Sequence, residues 1–168
     1  IHEFDGRYYL FHIGNLDGRP FTQQIGVAVA DDLYGPWERF DEPLLGPGLY
    51  GAWDWLMATN PAMLRHPNGQ FWLYYKSWDM VDRKRKMGLA IADDVMGPYE
   101  KHPENPIVDY SDEGKQVEDA YVWAQDGTFY MLMADDNEGV VRKHGGALII
   151  SEDGIHWSEP MLGYETTD

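Results

Sequence analysis

The sequence predicts an all-β fold, a β-propeller of four-stranded antiparallel blades, and three observations predict it. The first is an internal repeat: Gly26-Val27-Ala28-Val29-Ala30-Asp31-Asp32-Leu33-Tyr34-Gly35-Pro36-Trp37-Glu38 returns 62 residues later as Gly88-Leu89-Ala90-Ile91-Ala92-Asp93-Asp94-Val95-Met96-Gly97-Pro98-Tyr99-Glu100. Self-similarity at a period of tens of residues marks stacked copies of one supersecondary unit, none of which buries its apolar face alone. The second is a run of aromatic-rich segments behind a turn glycine, Gly6-Arg7-Tyr8-Tyr9-Leu10-Phe11-His12, then Gly69-Gln70-Phe71-Trp72-Leu73-Tyr74-Tyr75, then Gly127-Thr128-Phe129-Tyr130-Met131-Leu132-Met133. The third is negative, since no segment sustains a 3.6-residue apolar stripe over three turns and helix is marginal.

Within the middle copy four short apolar stretches are separated by turn residues: 61–66, 70–78, 87–92 and 98–102, with Pro67-Asn68-Gly69 and 93–97 as turns. Such a meander is one propeller blade. In the third copy Ala147-Leu148-Ile149-Ile150-Ser151-Glu152-Asp153 stands where the other copies have Ala-Asp-Asp, and His156-Trp157-Ser158-Glu159-Pro160 where they have Pro-Trp-Glu and Pro-Tyr-Glu. We expect one partial propeller domain over residues 1–168, with the rest of a first blade at 1–45, a second at about 58–108 and a third at about 117–162. By this count the first blade contributes its last three strands. A lone arc exposes two unpaired edges, so the natural chain is expected to continue at both ends.

Composition narrows the function. The chain is 43% hydrophobic and 14% aromatic, enough for one sizeable core, and carries a formal net charge of −16. That charge argues against nucleic acid, anionic lipid and polyphosphate as partners and favours a neutral substrate. No run approaches the length of a membrane span. The absence of cysteine excludes disulfide and thiol chemistry. It leaves the compartment open, with extracellular or periplasmic favoured.

The first strand of each blade lies nearest the propeller axis, so the positions where these strands begin converge on the central funnel. Counting back nine residues from Gly69 and from Gly127 gives Asn60 and Glu118, and the same count from Gly6 falls before Ile1. An amide and a carboxylate are therefore expected side by side. Glu118 lies in Gln116-Val117-Glu118-Asp119-Ala120-Tyr121-Val122-Trp123, where two acids interrupt the entry to an apolar inner strand. An acid in a partly dry funnel beside a second carboxylate holds its proton more tightly, which suits proton donation. The alternative is that Glu118 and Asp119 merely solvate a strand start.

Further candidates flank this pair. Trp53 and Trp55, in the loop entering the second blade, either stack on sugar rings or pack over the blade edge, and Asp54 between them is placed to reach a sugar hydroxyl. Lys76 and Trp78 end the second strand of the middle blade, where Lys76 either pairs with a funnel acid or snorkels to the surface. Asp82-Arg83-Lys84-Arg85-Lys86, the only basic cluster, reads as a solvated hairpin tip. The six histidines lack paired metal-ligand spacing, so no metal site is expected. Asp135-Asp136-Asn137-Glu138-Gly139 has the oxygen density of a calcium loop without its distal glutamate, so a plain acidic turn competes with a structural calcium. No other cofactor is expected.

The blade pattern of Asp-Gly-Arg-Tyr-Tyr-Leu, Asn-Pro-Ala-Met-Leu, Ala-Asp-Asp with Gly-Pro-Trp-Glu, and Glu-Asp-Ala-Tyr-Val-Trp resembles the five-bladed propeller glycoside hydrolases, the family 43 and family 32 group. The resemblance covers essentially the whole chain. It implies a five-bladed parent of which about three blades are present, with Glu118 as the general acid and a first-blade aspartate upstream of Ile1 as base or nucleophile. Two departures stand out. Where family 43 has Ala-Pro-Asp and family 32 Arg-Asp-Pro on the second blade, this chain has Thr59-Asn60-Pro61-Ala62, so an amide replaces the orienting aspartate. The proline that family 43 places two residues after the acid is Ala120, which makes Asp119 a rival to Glu118 or a second acid-site carboxylate.

The expected function is hydrolysis of a neutral arabinoside, xyloside or fructoside by a two-carboxylate mechanism. The alternatives are a glycan-binding propeller without catalysis and a propeller phosphorylase, the latter lacking a visible cationic phosphate pocket. Without the upstream aspartate, these 168 residues alone are expected to show no turnover.

Overall fold

The structure is a computed structural model and describes residues 1–19, 21–135, 140–142 and 145–165. Most of the proposed calcium loop, residues 136–139, lies outside them. The chain forms three four-stranded antiparallel sheets in sequence. The first contains β1 (His2–Phe4), β2 (Arg7–Asn15), β3 (Gln23–Ala30) and β4 (Glu38–Arg39). The second contains β5 (Thr59–Arg65), β6 (Phe71–Asp79), β7 (Lys84–Ala92) and β8 (Glu100–Lys101). The third contains β9 (Glu118–Gln125), β10 (Thr128–Asp135), β11 (Gly145–Ser151) and β12 (Met161–Glu165). Each sheet is a simple up-and-down meander, the blade of a β-propeller. Helical backbone among the described residues is confined to two single 3₁₀ turns, at Leu16–Gly18 and Ser111–Glu113.

The first blade has four strands rather than the three counted from sequence, because the three-residue β1 pairs with β2. A stretch that short, His2-Glu3-Phe4, carries no readable alternation. The outer strand of the third blade runs to Glu165, past the expected boundary near 162.

Local chemistry explains the hairpins. Asp5-Gly6 and Asp126-Gly127 each place both residues at positive φ, the two-residue turn that matches the twist of paired strands. The glycine that opens each repeated segment also has a reason: a Cβ on Gly88 would lie 2.8 Å from atoms of Trp53 and Tyr75, and one on Gly26 would meet the His12 ring at 2.5 Å. An aromatic ring therefore crosses the third strand at the same point in both blades.

The middle sheet is buried on both faces, which is why Phe71-Trp72-Leu73-Tyr74-Tyr75 is continuously apolar instead of alternating. Phe71, Leu73 and Tyr75 pack with Tyr9, Ile25, Val27 and Val29 of the first blade. Trp72 and Tyr74 point the other way and pack with Val122, Met131, Met133 and Ile149 of the third. Both tyrosine hydroxyls are anchored, Tyr74 donating to the Gly154 carbonyl at 3.0 Å and Tyr75 to Asp54 Oδ2 at 2.8 Å. Burial and the nearby carboxylates, Asp153 and Asp54 respectively, push both phenols far above the usual tyrosine range.

Two ionic clusters tie the layers. Lys86, 6% exposed, reaches Asp79 at 3.0 Å, Asp82 at 2.6 Å and Asp109 at 2.9 Å. Desolvation opposes its charge, but the three carboxylates outweigh it and raise its pKa. The expectation of a solvated hairpin tip therefore fails, because β7 begins at Lys84 and carries Lys86 inward. At the surface, His156 contacts Asp153 at 2.7 Å and, across the blade boundary, Glu104 at 3.1 Å.

Replacing Lys86 by Met leaves three carboxylates around an apolar tip and is expected to cost about 3 kcal/mol of unfolding free energy, measured by urea titration. The His156 bridge gives a pH signature. Hydrogen bonds to Asp153 and then Glu104 raise the His156 pKa above its ordinary 6.5, so its contribution is complete below pH 6.5 and fades as pH climbs through the raised value. The fall in Tm between about pH 6 and 8 should be shallower in His156→Gln than in the parent, and shallower still in high salt, since the bridge is exposed.

Candidate active site

The inner strands β5 and β9 begin side by side, and both begin with the same irregularity. Asn60 and Asp119 adopt φ of +49° and +51°, and each lies where the pairing to the second strand slips by a residue. Asn and Asp tolerate the left-handed region better than other residues with a side chain, and a bulge re-aims the side chain it carries. The register makes Asn60 the counterpart of Asp119, and Thr59, opposite Lys76, the counterpart of Glu118, opposite Ala134. Counting from the glycines slips by one for a physical reason. Five residues separate the paired Arg65 and Phe71, whereas four separate the paired Ala124 and Phe129.

The convergence itself is as expected. The Asn60 Nδ2 donates to Asp119 Oδ1, while Thr59 Oγ1 donates to Asn60 Oδ1 at 2.9 Å, which fixes the orientation of the amide. Lys76, 7% exposed, is aimed into the same cluster. Its Nζ lies 2.5 Å from Glu118 Oε1 and 3.8 Å from Asp119 Oδ1. The snorkelling alternative for Lys76 is thereby excluded.

A further cation was missed in the sequence. Arg85 on β7 places Nη1 3.0 Å from Glu118 Oε2, so both oxygens of that carboxylate are ion-paired. The guanidinium also lies over the Trp78 ring, 5.3 Å from its centroid. The like-charged, dry surroundings expected for Glu118 give way to a clamp between two cations. The signal lay in strand period: Arg85 is two residues before Met87, and so shares its face, once β7 is allowed to begin at Lys84. Asn60, Lys76, Trp78, Arg85 and Glu118 line one open cleft, joined from the first blade by Phe21 and Gln23. Asp119 stands beside it as the more exposed carboxylate, its side chain 57% accessible against 24% for Glu118.

Three candidates lie elsewhere. Asp54 is 3% exposed, bonded to the Tyr75 hydroxyl and 2.5 Å from Lys101 Nζ, so no sugar hydroxyl reaches it. Trp53 stacks on Tyr75 at 5.8 Å and joins the core between the first two blades. Of the two readings open for Trp53, packing is the one observed. Trp55 tilts against Tyr50 at 5.1 Å in the same loop and does not line the cleft. Among the described residues no group of three or more His, Asp or Glu gathers as a metal site, and no helix is long and apolar enough to cross a membrane.

Three consecutive four-stranded meanders give the chain a β-propeller fold, with the architecture seen in propeller glycoside hydrolases. No family model matches the chain. A family 117 glycoside hydrolase of the marine bacterium Zobellia galactanivorans superposes with a TM-score of 0.79 at 24% identity, over 95% of this chain and 44% of that one. A thermostable family-43 glycoside hydrolase superposes with a TM-score of 0.75 at 21% identity, over 99% and 52%. A GH43 enzyme of Xanthomonas citri solved with xylose gives 0.69 at 20% identity, over 96% and 53%. In sequence the chain is 29% identical over 86 residues to an extracellular endo-α-(1→5)-L-arabinanase of Thermotoga petrophila, 44% of this chain and 18% of the arabinanase. The chain thus spans about half the length of the solved structures and under a fifth of the curated relative.

Removing the ammonium between Glu118 and Asp119 leaves two neighbouring carboxylates facing each other. Lys76→Met is expected to lower unfolding free energy by about 3 kcal/mol, read from urea titration, with Lys76→Arg recovering part of the loss.

Proposed function

We propose that the chain is part of a propeller glycoside hydrolase acting on a neutral pentose glycan, with Glu118 protonating the leaving oxygen. The observation that carries this reading is the cluster at the start of β9, where Lys76 and Arg85 hold the two oxygens of Glu118 beside the Asn60–Asp119 pair at the edge of an open cleft. Lys76 and Arg85 each face one oxygen of Glu118 and favour its ionised form, so proton donation requires one of these contacts to open to substrate; Oε2, whose partner Arg85 borders the open cleft, is the oxygen assigned to it. Asn60 holds Asp119 and keeps the second carboxylate oriented toward the cleft. Hydrolysis also needs a carboxylate on the far side of the sugar. By register it belongs on the innermost strand of the first blade, upstream of β1. The likeness to an arabinanase makes α-(1→5)-linked arabinan the first substrate to try.

General acid catalysis has a kinetic signature that simple damage lacks. In the full-length protein, Glu118→Gln is expected to lower turnover of arabino-oligosaccharides by about 10²–10⁴-fold while leaving their affinity intact. Aryl arabinosides with good leaving groups should lose far less, because they need little protonation. Equal losses on both substrates would remove Glu118 from the acid role. Binding without turnover in the parent protein would identify a glycan-binding propeller, and dependence of product formation on phosphate a phosphorylase.

A further inference from the structure

We propose that an apolar shelf beside the cleft, formed by Phe21, Leu56, Trp78 and Met80 with Arg83 at its edge, holds a second sugar ring and makes the protein select oligosaccharides over single-residue glycosides. The inference rests on the glycosidase reading above and names the substrate class of the same site.

The shelf is assembled from three separate segments. Phe21 comes from the β2–β3 connection of the first blade, Leu56 from the loop between the first two blades, and Trp78, Met80 and Arg83 from the β6–β7 hairpin of the second. It is continuous with the cleft, because Phe21 and Trp78 line both. Trp78 in turn carries Arg85, which holds Glu118, so the shelf begins one side chain away from the proposed acid.

Core packing does not account for Phe21 or Met80. Phe21 is 66% exposed and Met80 45% exposed, at loop positions where a polar side chain would be tolerated. Phe21 and Arg83 both have φ of +59°, a conformation that is uncommon for side chains of this bulk. Arg83 has no ion-pair partner among the described residues, in a chain whose net charge is −16.

This combination matches the chemistry of a sugar ring. A pyranose or furanose ring offers a C–H face to an aromatic surface and a rim of hydroxyls to a hydrogen-bond donor, here the Arg83 guanidinium. Four of the five lining residues are apolar and only Arg83 at the edge could meet a carboxylate, so the class assigned is a neutral ring, with a uronate as the competitor to be tested. The occupant is therefore the next unit of the glycan whose scissile bond lies at Glu118.

The test compares arabinose, arabinotriose and galacturonotriose binding, and turnover of arabinotriose and an aryl arabinoside, using the full-length protein. Phe21→Ala is expected to raise KM for arabinotriose roughly 3–10-fold with kcat little changed. A Leu56→Ala/Met80→Ala double variant, altered only on the shelf, should do the same while its affinity for arabinose matches the parent. Unchanged Tm in both variants rules out misfolding as the cause. Equal effects on one-ring and three-ring substrates, or none on either, overturn the shelf, and tighter binding of galacturonotriose than arabinotriose overturns its neutral class. Turnover without preference for chain length removes the shelf and leaves the glycosidase reading standing. Length-dependent, Phe21-dependent binding without cleavage does the reverse.

Discussion

Burial of the middle sheet on both faces is the constraint from which the rest of the arrangement follows. Successive side chains of a strand point to opposite faces, so β6 sends Leu73 and Tyr75 into one inter-blade core and Trp72 and Tyr74 into the other. Slipping β6 by one residue would exchange these sets and point Lys76 at the first blade instead of at Glu118. The apolar register of one strand therefore fixes where a charged group meets its partner. The two cores stack the blades in order, which in turn sets β5 beside β9 and brings Asn60 to Asp119.

An acidic chain has few cations to distribute, and this one places several of them inside. Lys76, Lys86 and Lys101, with Arg85, all belong to the middle blade, and each faces a carboxylate that is itself partly or wholly buried. A carboxylate removed from water is tolerated only when a cation or several hydrogen-bond donors compensate it. Asp54 has Lys101 and the Tyr75 hydroxyl, and Asp79 and Asp109 share Lys86. Glu118 is paired with two cations, one on each oxygen, and shares Lys76 with Asp119. This asymmetry separates it from the purely structural acids, since one cation suffices to neutralise it and the second, Arg85, also reaches into an open cleft through its contact with Trp78.

The repeat made the propeller legible because its period is long, its turn chemistry is explicit and its aromatic strands are dense. The same repeat led to the funnel residues, and the convergence of β5 and β9 is seen in the structure. It failed by one position because a hairpin loop, His66 to Gln70, is one residue longer than its counterpart in the third blade, and loop length is free to vary where strand register is not. Arg85 was invisible for a related reason. Lys84, Arg85 and Lys86 carry charges of one sign, so they read as a solvated tip, yet the neighbouring Arg85 and Lys86, on opposite faces of β7, each reach a carboxylate contributed by a distant segment, Glu118 and Asp109 respectively. The Trp53-Asp54-Trp55 stretch misled in the opposite direction. Aromatics and an acid on a loop near the funnel look like a sugar site, but Gly88 opens a space in the sheet that Trp53 fills.

The shifted register also changes what Asn60 means. Paired with Asp119 instead of Glu118, it lies where an aspartate would set three carboxylates, at 60, 118 and 119, around two cations. An aspartate there could accept a hydrogen bond from Thr59 but could not donate one to Asp119 without first taking a proton. The amide does both at once, accepting from Thr59 through Oδ1 and donating to Asp119 through Nδ2. It holds a neighbouring carboxylate in place without adding charge to it. Asparagine at this position therefore fits a cluster in which the orienting is done by hydrogen bonds and the electrostatic balance is left to Lys76 and Arg85.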